Sequence, residues 1–228
     1  MLTVLVPQGA EYGAVCRGLK RVTGDQPIVK FIPVGVQAVG EYLQQWSQTK
    51  DFENQVKAGI LVVGLCGSLT QQYKVGDVVL YQNCLYQQQT LECSHIVNLH
   101  IQSIVNSQQS IVNIVKSLTS DRVICSATEK RYLGETMGVD VVDMEGFAVL
   151  DFFHHIGVEV AILRVVSDDC NYDIPDISTA INSDGSLNPL SLAWKFIRQP
   201  IAANRLIRGS LQGLKVLEQT MQLLFSPK

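Results

Sequence analysis

The sequence predicts an α/β fold, a three-layer αβα sandwich around a mixed central sheet. Short β-branched runs alternate with longer segments of helical period from one end of the chain to the other. Several of those runs are apolar almost without interruption, the pattern of strands whose two faces are both covered by helices. The 228 residues, 46% of them hydrophobic, suit one domain over 1–228 with a sizeable core, C-terminal helices over 188–225 packing on it.

The strands are predicted in order at TVLV (3–6), IVKFIPV (28–34), ILVVG (60–64) and DVVLY (77–81), followed by a Gln-rich surface hairpin at 82–90. RVICS (122–126), VDVVDM (139–144) and EVAILRVVS (159–167) continue the series. A helix over GFAVLDFFHHIG starts after Glu145 and stops at Gly157, a residue suited to the left-handed C-terminal cap. His154 and His155 then sit at its C-terminal end, where positive charge is favourable. Residues 168–187 are rich in Asp, Asn, Ser and Pro without a period, and predict a long loop of the kind that covers sites. Asn188 and Pro189 form an N-cap and first-turn pair for a helix to about Arg198. A last helix begins after Pro200, with Ile207, Leu211, Leu214, Met221 and Leu224 spaced for one apolar side.

Composition narrows the function. A formal net charge of −3 gives no broad attraction for phosphate backbones, so a small ligand is expected and no nucleic acid. The N-terminus has no basic segment followed by a long apolar stretch, and no window reaches the roughly 18 apolar residues of a membrane span. Six widely spaced cysteines without a CxxC pair read as reduced packing thiols, and the expected location is the cytoplasm. No metal is expected, because His95 with His100 and His154 with His155 lack ligand spacing. A dinucleotide fold is disfavoured, since PQGAEYG stands after the first strand in place of GxGxxG.

Polar groups gather at three strand ends, where open α/β sheets bind ligands. In GLCGSL (64–69), Gly64 and Gly67 allow a tight turn whose amides can cradle an anion or a hydroxyl, or simply turn the chain. In VVDMEGFAV (141–149), Glu145 either accepts bonds from a vicinal diol, with Met144 as an apolar surface, or is an acidic helix start. In ILRVVSDD (162–169), a carboxyl partly shielded from water can act as a general acid, although loop-start Asp residues also cap turns.

These segments resemble, in order and over nearly the whole chain, the superfamily that includes purine nucleoside phosphorylase and methylthioadenosine/S-adenosylhomocysteine nucleosidase; the MEG and SD motifs with their spacing are its most specific part. The resemblance implies a phosphorylase/hydrolase-like fold that cleaves the N-glycosidic bond of a purine (adenosine-type) nucleoside, by phosphate or water, releasing free base. It implies Asp168 as the acid at the purine, Ser167 orienting it and Arg164 organising the acidic site. Glu145 becomes the ribose acceptor and Met144 its packing partner. Leu65, Cys66 and Gly67 become the turn facing sugar or phosphate, and Ser126, Ala127 and Lys130 fall in the base-contacting segment. No cofactor is implied beyond phosphate as a co-substrate, and a homo-oligomer is.

The chain departs from that pattern twice. Leu65 stands where many members have Ser or Thr, and the water-activating glutamate is represented by Glu11, while the best-aligned position is Gly13. Both departures also suit a nucleoside-binding protein of the same fold without turnover. ATEKRYLGETMGVDVVDMEGFAV and NPLSLAWKFIRQP are similar to the hopanoid-associated phosphorylase (adenosylhopane nucleosidase) branch, which implies an apolar 5′ substituent on the nucleoside.

Overall fold

The structure, a computed structural model, describes residues 2–106, 111–176 and 196–226. Its strands are β1 (Thr3–Pro7), β2 (Ile28–Ile32), β3 (Ile60–Ser68), β4 (Val78–Tyr86), β5 (Gln89–Glu92), β6 (Val112–Thr119), β7 (Val141–Asp143) and β8 (Val160–Asp168). The helices are α1 (Ala10–Leu19), α2 (Val36–Ser47), α3 (Phe52–Val56), α4 (His95–Asn106), α5 (Ala127–Met137), α6 (Gly146–His155) and α7 (Pro200–Phe225). All eight strands join one mixed sheet.

Strand alternation sorts the side chains into layers. Along β3, Ile60 and Val62 enter a core with α2, α3 and α6, while Leu61 and Val63 enter a second core with α1, α4 and α7. Val160, Ile162 and Val166 of β8 follow the first set, and Ala161, Leu163 and Val165 the second. Arg164 shares the parity of the first set, so its side chain is directed to the layer in which α6 begins. The sheet also curls. β3 pairs β8 in parallel and β7 antiparallel, β8 pairs β4, β4 pairs β6, and β6 pairs β7, so five strands close into a ring.

Three expectations are corrected. Residues 64–68 are not a turn, because they continue β3, paired to β8 and β7 with an irregularity between Cys66 and Gly67. RVICS is not a strand; β6 supplies the pairing earlier in the chain, and Ile124 packs with Leu69, Leu118, Val139 and Val142 in a small third core. Ile207 and Leu211 are exposed on α7, whose docking side runs through Ala203, Gly209, Gly213, Leu217, Met221 and Leu224. An added Cβ on Gly209 would lie 2.1 Å from the Ser167 carbonyl oxygen, and one on Gly18 of α1 2.3 Å from that of Glu218, so glycines set how closely α7 approaches β8 and α1.

The hairpin at 82–90 forms between β4 and β5, and α6 is followed by Gly157 at φ 70°, the left-handed stop its sequence predicts. His154 and His155 occupy the last turn of α6. The described part of the loop, 169–176, is irregular, whereas 177–187 lie outside the described residues. So does the Asn188–Pro189 helix start, of which only 196–198 are described, as helical. No helix among the described residues is long and apolar enough to cross a membrane.

Candidate active site

Gly146 opens α6 directly after Glu145, and the chain reaches that point through β7, so Asp143 and Glu145 arrive at the ring's end two residues apart. Arg164 meets both, donating from Nη2 to Asp143 Oδ2 at 2.9 Å and to Glu145 Oε2 at 3.1 Å. Arg164 is fully buried and each carboxylate is 5% exposed. Asp143 also accepts from the Thr119 hydroxyl at 2.9 Å and from the Gly146 amide at 3.2 Å, while Thr119 Oγ1 accepts from the Phe147 amide at 2.9 Å. This network ties β6, β7 and the start of α6 into one rigid unit. Glu145 Oε1 accepts from the Gly35 amide, at the N-terminus of α2, at 3.3 Å.

Glu11, in the first turn of α1, brings a third carboxylate to the cluster, its Oε1 accepting from the Leu65 amide. Gly64 makes this meeting fit. A Cβ there would lie 2.3 Å from Arg164 Nη1 and 2.7 Å from Glu11 Oε1. Burial raises the Glu11 carboxyl to about 7 against the pull of Arg164, and burial likewise raises Glu145 to about 7, again opposed by Arg164. Burial works against the Arg164 charge, but Asp143 and Glu145 outweigh it and hold its pKa above the ordinary value. Nε and Nη1 of Arg164 find no partner among the described residues.

The acid expected at the base stands at the tip of β8. Lys130, fully buried on α5, contacts Asp168 Oδ2, and the Ser167 hydroxyl lies 2.8 Å from Asp168 Oδ1 and 3.2 Å from the Cys66 carbonyl oxygen. A hydroxyl has one proton and two lone pairs, so Ser167 can donate to an ionised Asp168, or donate to Cys66 and accept from a protonated one. A Cβ on Gly67 would lie 2.9 Å from Asp168 Oδ2, so glycine is the residue that admits this carboxyl.

Glu11, Leu65, Cys66, Gly67, Asp143, Met144, Glu145, Ser167 and Asp168 line one cavity of about 560 Å³. The two carboxylates singled out at 145 and 168 therefore open into the same space. Arg164 does not line it but holds two of its carboxylates, Asp143 and Glu145. Gly13 does not line the cavity, and Glu11 is the acid that reaches it.

The segment expected to contact the base, Ser126 to Lys130, does not itself line the cavity. Ser126 is the N-cap of α5, accepting from the Glu129 amide at 3.4 Å, and the Ala127 amide donates to Asp173 at 2.7 Å. Ser126 and Ala127 are not in the lining, and Lys130 touches it only through Asp168; Arg122, Val123 and Ile124 form that wall instead. The reason is local: capping uses the polar groups at 126–127, and the preceding irregular segment carries its apolar residues inward. Sequence reasoning also missed Asp143 and Thr119. The signal for Asp143 was available, because a carboxylate two residues before Glu145 on an apolar strand falls on the same side. Thr119 lies on β6, a strand not anticipated, and had no such signal. No group of three His, Cys, Asp or Glu among the described residues is arranged to hold a metal ion.

An αβα sandwich with an acid-lined cavity at its strand ends has the form of an α/β enzyme. The chain belongs to the phosphorylase superfamily, whose family model matches residues 54–184. No curated protein matches the sequence. Among solved structures, the futalosine hydrolase of Helicobacter pylori aligns with a TM-score of 0.68 at 14% identity, over 98% of this chain and 96% of that one. The Helicobacter pylori 5′-methylthioadenosine nucleosidase, as a mutant with 5′-methylthioadenosine in its active site, aligns at 0.67 and 15% identity over 96% of each chain. A putative 5′-methylthioadenosine/S-adenosylhomocysteine nucleosidase from Francisella philomiragia aligns at 0.71 and 12% identity, over 98% of this chain and 97% of that one. At these identities the likeness shows the fold.

Proposed function

We propose that the protein hydrolyses the N-glycosidic bond of an adenosine-type nucleoside and releases the free base. The observation that carries this is the placement of Glu145 and Asp168 on one cavity, with Glu11 beside them. In this reading Asp168 protonates a purine ring nitrogen, so that the base departs neutral with the electron pair of the broken bond. Ser167 orients the carboxyl. Glu145 holds the ribose hydroxyls and Met144 packs on the sugar. Positive charge develops on the ribose over a floor where Asp143, Glu145 and Glu11 face a single guanidinium, an arrangement that favours a cation.

Glu11 is the residue that favours water over phosphate. Its carboxyl titrates near neutrality, where a general base is most effective, and it can take the proton of a water that adds to the anomeric carbon. No cofactor enters this chemistry. Val34, Val123, Ile124, Ile174, Leu206 and Leu214 also line the cavity and give it apolar surface suited to an apolar 5′ substituent. Two structures of the Helicobacter pylori nucleosidase are bound to analogues that carry thio substituents, one of them butyl-thio-DADMe-Immucillin-A.

Free base is to be measured from several purine nucleosides with and without phosphate. Release in both conditions supports hydrolysis, release only with phosphate makes the protein a phosphorylase, and binding without release in either overturns the enzymatic reading. Asp168→Asn should lower kcat by roughly 10²- to 10⁴-fold with little change in substrate affinity, because a general acid acts in the transition state. Faster release of adenine from an adenosylated polycyclic lipid than from methylthioadenosine would assign the lipid branch, and the reverse preference would remove it.

A further inference from the structure

Among the described residues two cations are fully buried, and only one of them, Arg164, serves the carboxylate cluster. The other is Lys130. It does not line the cavity, yet its Nζ contacts Asp168 Oδ2 and donates to the Asp169 carbonyl at 3.1 Å. A buried ion pair adds little net stability over an apolar pair of the same volume, so stability does not account for this lysine. Its position does suit control of the carboxyl it grips. α5 is fixed at its start by the Ser126 cap, by the Asp173 bond to the Ala127 amide, and by the Arg131 bond to the Cys170 carbonyl at 2.6 Å, so the ammonium is delivered from a rigid element.

We infer that Lys130 is a positioning residue for proton transfer, holding Oδ2 of Asp168 so that Oδ1 carries the proton and offsetting the negative charge that remains when it leaves. The inference rests on the proposed role of Asp168 as the acid. In the step itself, the proton passes from Asp168 Oδ1 to a purine ring nitrogen, the electrons of the glycosidic bond pass to the base, and Lys130 keeps its three protons. A general acid is neutral before it gives up its proton and charged after it. The ammonium therefore stabilises the later state more, which is the condition for lowering a barrier. Ser167 follows the same change, turning its hydroxyl from Cys66 to the new carboxylate.

The test compares four proteins: wild type, Lys130→Met, Asp168→Asn and the double variant. Lys130→Met should lower kcat by about 10²-fold while KM stays within about threefold, since the contact is made to the acid and not to the substrate. In the Asp168→Asn background the same replacement should change kcat by less than about twofold, because no carboxylate forms there to be stabilised. The double variant leaves no unpaired buried charge, and Asp168→Asn keeps an amide oxygen and the Asp169 carbonyl as acceptors for Lys130, so these two are compared where Lys130→Met alone does not fold. A further loss of about 10²-fold in that background, or a raised KM with unchanged kcat, overturns the inference while leaving the catalytic reading intact. A wild type that releases no base overturns the catalytic reading and this role with it.

Discussion

Glu11 and Glu145 ionise in the folded protein near 7, where an unfolded chain ionises its glutamates at about 4.5, because burial disfavours their charge. Between those values the folded state binds protons that the unfolded state has released. Stability from these groups is therefore complete below the unfolded value and is lost as pH rises through about 7. Thermal melting should show the wild type losing more stability between about pH 5 and pH 7.5 than Glu11→Gln, which has nothing to titrate at that position. An identical pH dependence in the two proteins would refute the burial argument. At this scale the sequence was informative wherever chemistry sits next to a strong local signal. Asp168 and Glu145 each flank an apolar strand and could be singled out; Glu11 was singled out by the resemblance alone, because its partner, the Leu65 amide, is 54 residues away.

α7 shows how an element reaches the site without contributing a catalytic group. Its Gly209 rests against the Ser167 carbonyl and its Gly213 against Leu65, so the helix backbone presses on the ends of both site strands. Gly209→Ala has no space for its methyl group and should destabilise the protein by about 1–3 kcal/mol. Because the displaced carbonyl belongs to the residue before Asp168, kcat should fall as well. Calorimetry and base release measured on one preparation check both, and a variant with wild-type melting would show that the helix yields. Period alone assigned Ile207 and Leu211 to the buried side of α7, but the packed side is rich in small residues, which a search for large apolar ones passes over. RVICS failed for a related reason. An apolar run satisfies a cavity wall and a small core as well as it satisfies a sheet, and of the two segments it is β6 that has strands to pair with.

Two large apolar layers lie on opposite sides of one sheet, and the layer carrying the site also holds an aromatic cluster. Phe153 is fully buried there, with ring centroids 6.3 Å from Phe52, 6.2 Å from Trp46 and 5.2 Å from Phe152. Phe153→Ala should cost roughly 3–5 kcal/mol. Chemical denaturation followed by tryptophan fluorescence measures it, and a loss below about 1 kcal/mol would mean that the layer collapses to refill the space. Since α6 joins Phe153 to the Glu145 turn, the same variant tests whether the layer sets the site's geometry.

By itself the sequence determined the αβα class, most strands, the stop of α6 and the strand-end acids, because each is written in local periodicity, capping residues or a short motif. The tertiary structure alone decided that β3 runs on through the supposed glycine turn, that five strands close into a ring, that Asp143 and Thr119 complete the Arg164 network, and that Lys130 is joined to Asp168. Those outcomes depend on pairing and burial between residues far apart in the chain. Whether a buried charge finds its partner is set by the packing of whole layers, and no local pattern encodes it.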